Sequence, residues 1–197
     1  VNRLTIPRDR VLSVFVTSDH HFSHANIIKY TNRPFADADE MDTVMASNWN
    51  GVVGRDDIVI HLGDFTLGGT NAADKFFRLL NGKIYILDNF WHHDKRWILN
   101  NTYFSSGGRY EVQTVPPIVA LESNDDVFVL SHYPQAEWDR KHHGAYHLHG
   151  HSHGTYAPPA GQRILDVGVD CTNFTPITIA QAMITINTRE LRKGVLR

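Results

Sequence analysis

Short apolar runs in this chain break off repeatedly into aspartate, asparagine or histidine, and that rhythm narrows the folds open to it. Leu12-Ser13-Val14-Phe15-Val16 leads to Asp19-His20-His21, and Ile58-Val59-Ile60 leads to His61-Leu62-Gly63-Asp64. Ile84-Tyr85-Ile86-Leu87 ends in Asp88-Asn89, Val127-Phe128-Val129-Leu130 in Ser131-His132, and Tyr146-His147-Leu148-His149 in Gly150-His151-Ser152-His153. Apolar runs of this length between turn signals read as buried strands. In open α/β sheets, ligands bind beyond the carboxyl ends of strands. Five such strands are expected to carry metal-type side chains to one edge of one sheet.

Composition narrows the class. At 197 residues and 22.4 kDa, residues 1–197 read as a single domain. With 42% hydrophobic and 20% charged residues, the chain suits a globular protein that buries a core. A net charge of −2 gives no general pull toward nucleic acid or an acidic membrane, so nucleic acid enters only as a substrate. No stretch has the length of a membrane span, and VNRLTIPRDR lacks a signal-peptide core. The single cysteine, Cys171, excludes an intramolecular disulfide and reads as a small buried residue. A cytoplasmic setting is the expectation. Histidine is the outlier: there are 13, six of them within residues 142–153.

Between the strands, Asp39 is expected to cap a helix over 40–50, where Met41, Val44, Met45 and Trp49 recur at helical spacing. A second helix opens at Gly68-Gly69-Thr70, with Phe76, Phe77, Leu79 and Leu80 as its buried side. Strand–helix–strand alternation in the first half implies parallel pairing. The strand-like runs 112–121, 127–130, 146–149 and 162–169 lie closer together and favour a mixed or antiparallel sheet. Residues 178–186 fit a short helix or a strand.

The residues at the strand ends share one chemistry. Asp19-x-His21 sets a carboxylate and an imidazole on the same side of an extended segment, enough to grip one divalent ion. Gly63-Asp64 puts a carboxylate just past a tight turn, where its two oxygens could bridge two ions. His151-x-His153 repeats the alternate spacing, and His132 and Asn89 complete the shell. Mixed nitrogen and oxygen ligands suit Mn, Fe or Zn. Two ions ~3.5–4 Å apart would form a clamp for displacement at phosphorus.

The ordered set Asp-x-His, Gly-Asp, Asn, His, Gly-His-x-His, running from Asp19 to His153, resembles the calcineurin-like metallophosphoesterase superfamily. The flanks Ser23 to Ile28, Asn32-Arg33-Pro34-Phe35 and Val167-Gly168-Val169-Asp170 resemble its small bacterial and phage-type members. The resemblance implies an α/β sandwich of two facing mixed β-sheets flanked by α-helices. It also implies two divalent ions, Mn foremost, with Fe, Zn, Ni or Mg as substitutes. One ion would be held by Asp19, His21 and His153, the other by Asn89, His132 and His151, with Asp64 between them. The implied activity is hydrolysis of a phosphomonoester or phosphodiester by metal-bound hydroxide. Against it stands a metal-binding protein, impaired in catalysis, that recognises a phosphorylated ligand or partner.

The third motif departs from the family's Gly-Asn-His-Asp or Gly-Asn-His-Glu. This chain reads Asp88-Asn89-Phe90-Trp91-His92-His93-Asp94, so Phe90 falls where the family has its catalytic histidine. In one reading, a short insertion brings His92 or His93 to the leaving-group oxygen, with Asp94 orienting the imidazole; general acid help of that kind is worth ~10²–10⁴-fold. In the other, the acid is missing. His24, Asn26 and Arg33 are expected at the mouth of the site, Arg33 recognising phosphate through its planar fork. His20, His61, His147 and His149 read as supporting or packing residues. His142 and His143, beside Arg140 and Lys141, read as a solvated basic loop.

Overall fold

The computed structural model describes residues 2–5, 13–88, 94–98, 111–123 and 126–194. Among these residues ten strands form two five-stranded sheets. The first is ordered β10-β2-β3-β4-β5, where β2 is Val14–Thr17, β3 Ile58–His61, β4 Lys83–Leu87, β5 Glu111–Val115 and β10 Ile177–Thr178. The second is ordered β1-β6-β7-β8-β9, where β1 is Asn2–Thr5, β6 Ile118–Ser123, β7 Asp126–Ser131, β8 Tyr146–His149 and β9 Ile164–Asp166. Both sheets are mixed. β2 through β5 pair in parallel and β10 joins antiparallel. In the second sheet only the β6–β7 hairpin is antiparallel.

The five metal-type strand ends therefore do not share one sheet, as the sequence predicts; β2, β3 and β4 serve one, β7 and β8 the other. Parallel strands covered on both faces read as unbroken apolar runs whichever sheet they join, so the pattern carries no sheet membership. The run 112–121 is likewise two strands, not one. Pro116-Pro117 removes two backbone donors, and the chain leaves β5 in one sheet to enter β6 in the other.

Alternation along β4 shows how the layers form. Ile84 and Ile86 join a cluster with Phe15, Val59, Trp49, Phe76, Phe77 and Trp97, under the helices. Tyr85 and Leu87 face the other way, into a cluster that combines Val14, Val16 and Ile60 with Val119, Phe128, Leu130, Tyr146 and Leu148. Apolar side chains from both sheets thus meet in one core. A third, smaller cluster lines the outer side of the second sheet, where Trp138 packs with Val129 and Ile164.

Among the described residues five α-helices surround this frame: α1 (Ala25–Tyr30), α2 (Ala38–Val52), α3 (Gly69–Leu79), α4 (Lys95–Ile98) and α5 (Ile179–Gly194). α2 is capped by Asp37, not Asp39; the Asp37 carboxylate accepts from the Glu40 backbone N–H at 2.9 Å. Asp39 instead lies in the first helical turn, where its charge favours the helix dipole. Trp49 is fully buried and its indole N–H donates to the Asn81 carbonyl, so truncation to alanine should cost ~3–5 kcal/mol. Of residues 178–186, Thr178 ends β10 and the rest are helical, and Ile179, Ala182 and Ile186 of α5 join the core between the sheets. Among the described residues no helix is long and apolar enough to cross a membrane.

Candidate metal centre

The loops that leave β2 and β3 run side by side and are zipped by their own backbones. Asp19 N–H donates to the Gly63 carbonyl at 3.0 Å, His21 N–H to Asp64 at 2.9 Å and Phe22 N–H to Phe65 at 2.9 Å. Buried carboxylates anchor both from below. Asp42 on α2 accepts from the Ser23 N–H, and Asp94 accepts from the Phe65 and Thr66 N–H groups and the Trp97 indole. The loop after β8 closes the third side. His151 N–H donates to Asp19 Oδ2 at 2.8 Å, and Gly150 N–H to the His132 carbonyl at 2.9 Å.

Two groups of possible ligands result: Asp19, His21 and His153, and beside them Asp64, His132 and His151. Within each, the ligand atoms lie within 4.8 Å of one another, so each could hold a metal ion. Asp64 joins the two groups: its Oδ2 is 3.4 Å from His21 Nε2 and 3.8 Å from His132 Nε2. In the second group His132 Nε2 and His151 Nδ1 approach to 3.2 Å. Six sequence-predicted ligands thus come together. Asn89, His92 and His93, along with Phe90 and Trp91, lie outside the described residues.

The means of convergence differs from the expectation. Asp19, His21, Asp64, His151 and His153 all have left-handed backbone, with φ between 45° and 66°. Alternate residues of an extended strand would share a face, but these side chains are aimed by successive left-handed turns. Non-glycine residues rarely adopt that conformation, and it concentrates at functional sites where surrounding contacts enforce it. Gly150 and Gly168 are part of the enforcement. A Cβ at either position would run into Asp19 Oδ2.

The electrostatics suit a cation. Asp19 is wholly buried, and its Oδ1 has no hydrogen-bond partner. Burial pushes its carboxyl up to about 8 despite the opposing pull of His153. A buried carboxylate oxygen without a donor is costly, and a divalent ion at that position would offset the cost. Burial also pulls His21 down to about 3, which keeps the imidazole in the neutral form a metal requires. His153 is set by its partner: Nδ1 lies 2.6 Å from Asp170 Oδ2, which leaves Nε2 for ligation. Burial lowers the Asp170 affinity for a carboxylate charge, yet its bonds to His153 and Arg33 prevail and hold its pKa below the usual range.

Arg33 is not at the mouth of the site. Its side chain is fully buried and its donors are spent within the protein. Nε and Nη2 form a bidentate pair with Asp170 at 2.8 Å each, Nη2 also donates to the Asp19 carbonyl, and Nη1 donates to the His20 carbonyl and Met41 Sδ. The rigid fork that matches phosphate matches a carboxylate and two loop carbonyls equally well. His24 is half-buried with its ring 5.5 Å from that of His21, and Asn26 is exposed on α1. The expected pairing of Asp94 with His93 involves a residue outside the described ones. Cys171 is exposed rather than buried.

The supporting histidines do sit beneath the loops. His61 Nδ1 accepts from the Gly63 N–H, and its Nε2 meets His20 Nδ1 at 2.9 Å. His147 accepts from the Gln135 N–H through Nε2 and donates from Nδ1 to the Val129 carbonyl. His149 donates from Nδ1 to the Gly150 carbonyl. His142 and His143 are exposed, as a solvated loop requires. Three carboxylates were given no role by sequence reasoning, Asp42 under the Asp19 loop and two more past β8. Asp170 orients His153, and Asp166 accepts from Ser152 Oγ, Gly154 N–H and Gly168 N–H, holding the His151–His153 loop. For Asp166 and Asp170 the signal was the stretch Leu165 to Asp170, where two aspartates bracket Gly168 at the end of β9 and just past it.

Relatives share this chain over most of their length. The uncharacterized protein MJ1445 of Methanocaldococcus jannaschii is 32% identical over 173 residues, spanning 84% of this chain and 86% of its own. The gene 66 protein of Mycobacterium phage D29 is 30% identical over 189 residues, covering 80% of this chain and 88% of its own. Its namesake in Mycobacterium phage L5 is 28% identical over 184 residues. No family model matches. The crystal structure of AQ665, a protein of unknown function from Aquifex aeolicus, superposes with a TM-score of 0.61 at 20% identity, over 85% of this chain and 96% of that one. That likeness shows the fold alone. On sequence, the chain belongs to the family of the M. jannaschii protein MJ1445 and the mycobacteriophage gene 66 proteins.

Proposed function

We propose that the chain is a dinuclear metal-dependent phosphoesterase of the calcineurin-like metallophosphoesterase type, hydrolysing a phosphomonoester or phosphodiester. One observation carries this reading: two carboxylate–imidazole groups stand side by side with Asp64 within 4 Å of an imidazole in each. Two mixed sheets sharing one apolar core support the sandwich that this superfamily uses. A cytoplasmic setting goes with it, since a lone cysteine offers no intramolecular disulfide.

When bound, divalent ions such as Mn supply Lewis acidity toward phosphoryl oxygens and lower the pKa of water toward neutrality. Asp19, His21 and His153 would hold one; Asp64, His132, His151 and Asn89 would hold the other. The chain's own part is positional. Arg33 and Asp170 fix the Asp19 loop relative to His153, Asp94 fixes the Asp64 loop, and the left-handed turns aim the ligands inward. The proton for the leaving group is assigned to His92 or His93.

The test is hydrolysis of an aryl phosphomonoester and an aryl phosphodiester by protein stripped of metal and reloaded with Mn. Turnover that depends on Mn supports the reading, and the preferred ester narrows the substrate. Stoichiometric Mn with no hydrolysis of either ester overturns it in favour of a binding protein.

A further inference from the structure

With every Arg33 donor spent on Asp170, Met41 and the loop carbonyls, a phosphoryl group at this centre needs a donor from elsewhere. Tyr133 stands in the right place. It is 45% exposed, yet its ring is held: 4.4 Å from the His151 ring at 65° and 4.9 Å from the His132 ring at 89°. Its backbone is held too. Ser131 Oγ donates to the Tyr133 carbonyl at 2.7 Å, and two residues on, the Gln135 N–H donates to the buried His147. The ring thus forms a wall over the second group with an outer surface open to solvent. A phenol is a hydrogen-bond donor across the neutral range.

We infer that Tyr133 contacts the substrate, its hydroxyl donating a hydrogen bond to a phosphoryl oxygen seated beside the Asp64–His132–His151 group. The inference rests on the phosphoesterase reading for its ligand but not for its test. Inorganic phosphate is the probe, titrated calorimetrically into the Mn-loaded full chain, with Mn content measured for wild type, Tyr133→Phe and Tyr133→Leu. Tyr133→Phe is expected to keep the wild-type Mn content and bind phosphate about tenfold more weakly, the worth of one neutral hydrogen bond. Its kcat/KM on the preferred aryl ester should fall by a similar factor. Phosphate binding unchanged in Tyr133→Phe overturns the inference, as does a wild type that binds no phosphate. A defect confined to Tyr133→Leu, with lost Mn, also overturns it, because the ring then only packs on the imidazoles. Wild type that binds phosphate through Tyr133 yet hydrolyses neither ester upholds the inference and defeats the enzymatic reading.

Discussion

Asp19, His21 and His153 are braced by a buried ion pair, whereas Asp64 rests on the Asp94 carboxylate and His132 and His151 on neutral histidines, with solvent open at His151. Beneath the first group, Arg33 and Asp170 tie two loop carbonyls to an imidazole in a single network. Beneath the second, His147 accepts from the Gln135 N–H after His132 and donates to the Val129 carbonyl before it, and Tyr133 roofs the imidazoles. A charged brace is costly to desolvate and holds one geometry. The support around His132 uses neutral imidazole and sits on the side where His151 opens to solvent. The same side-chain chemistry is therefore built once for rigidity and once for access.

The largest expected effect joins the two halves. Asp64→Ala should lower Mn content in both groups and abolish metal-dependent hydrolysis, read by metal analysis and an aryl ester assay. If the first group kept Mn at wild-type affinity, the halves would be independent and the bridging assignment would fail. Arg33→Met tests the brace alone. It leaves Asp170 buried without its cation, and urea unfolding should show a loss of ~3–5 kcal/mol. A change below ~1 kcal/mol would mean that the network adds little rigidity.

The neutral brace should betray itself through pH. Burial lowers His147 from 6.5 to about 4, so the unfolded chain binds a proton at pH values where the folded chain does not. Stability from this group is complete above pH 6.5, declines as pH falls, and is lost below about 4, a total on the order of 3 kcal/mol. Urea midpoints measured across that window should fall less steeply in His147→Gln than in wild type. Equal slopes would remove His147 from the account. The smallest effect concerns ligand orientation. Asp170→Asn weakens the hold on His153 and should reduce Mn affinity of the first group ~10–100-fold. An equal loss in the second group would erase the contrast between the halves.

Much of this centre was legible before the fold. His151 and His153 stand out because nothing structural demands Gly-His-x-His after a strand, and Asp19, His21, Asp64 and His132 follow apolar runs in the same way. The errors share one cause. Arg33 and Asp170 are 137 positions apart, and no local pattern announces such a pair, so an arginine near the motifs reads as a substrate contact. Cys171 reads as buried by its type, but it sits in a short 3₁₀ turn at the surface. Asp39 lost the cap to Asp37 because both are aspartates before the same periodic run, and only backbone geometry separates them.

The sequence by itself determined the five strands with polar ends and the residue types of the ligand set, because hydrophobic periodicity and turn chemistry act over a few neighbouring residues. Tertiary structure decided which sheet each strand joined, which arginine donors were spent and which way each ligand pointed. Those outcomes depend on contacts across the seam between the sheets, such as Val169 N–H donating to Ser18 and His151 N–H to Asp19. Left-handed turns at five ligand positions are stable only when distant backbone and carboxylate partners hold them, and a linear pattern carries no record of partners that far away.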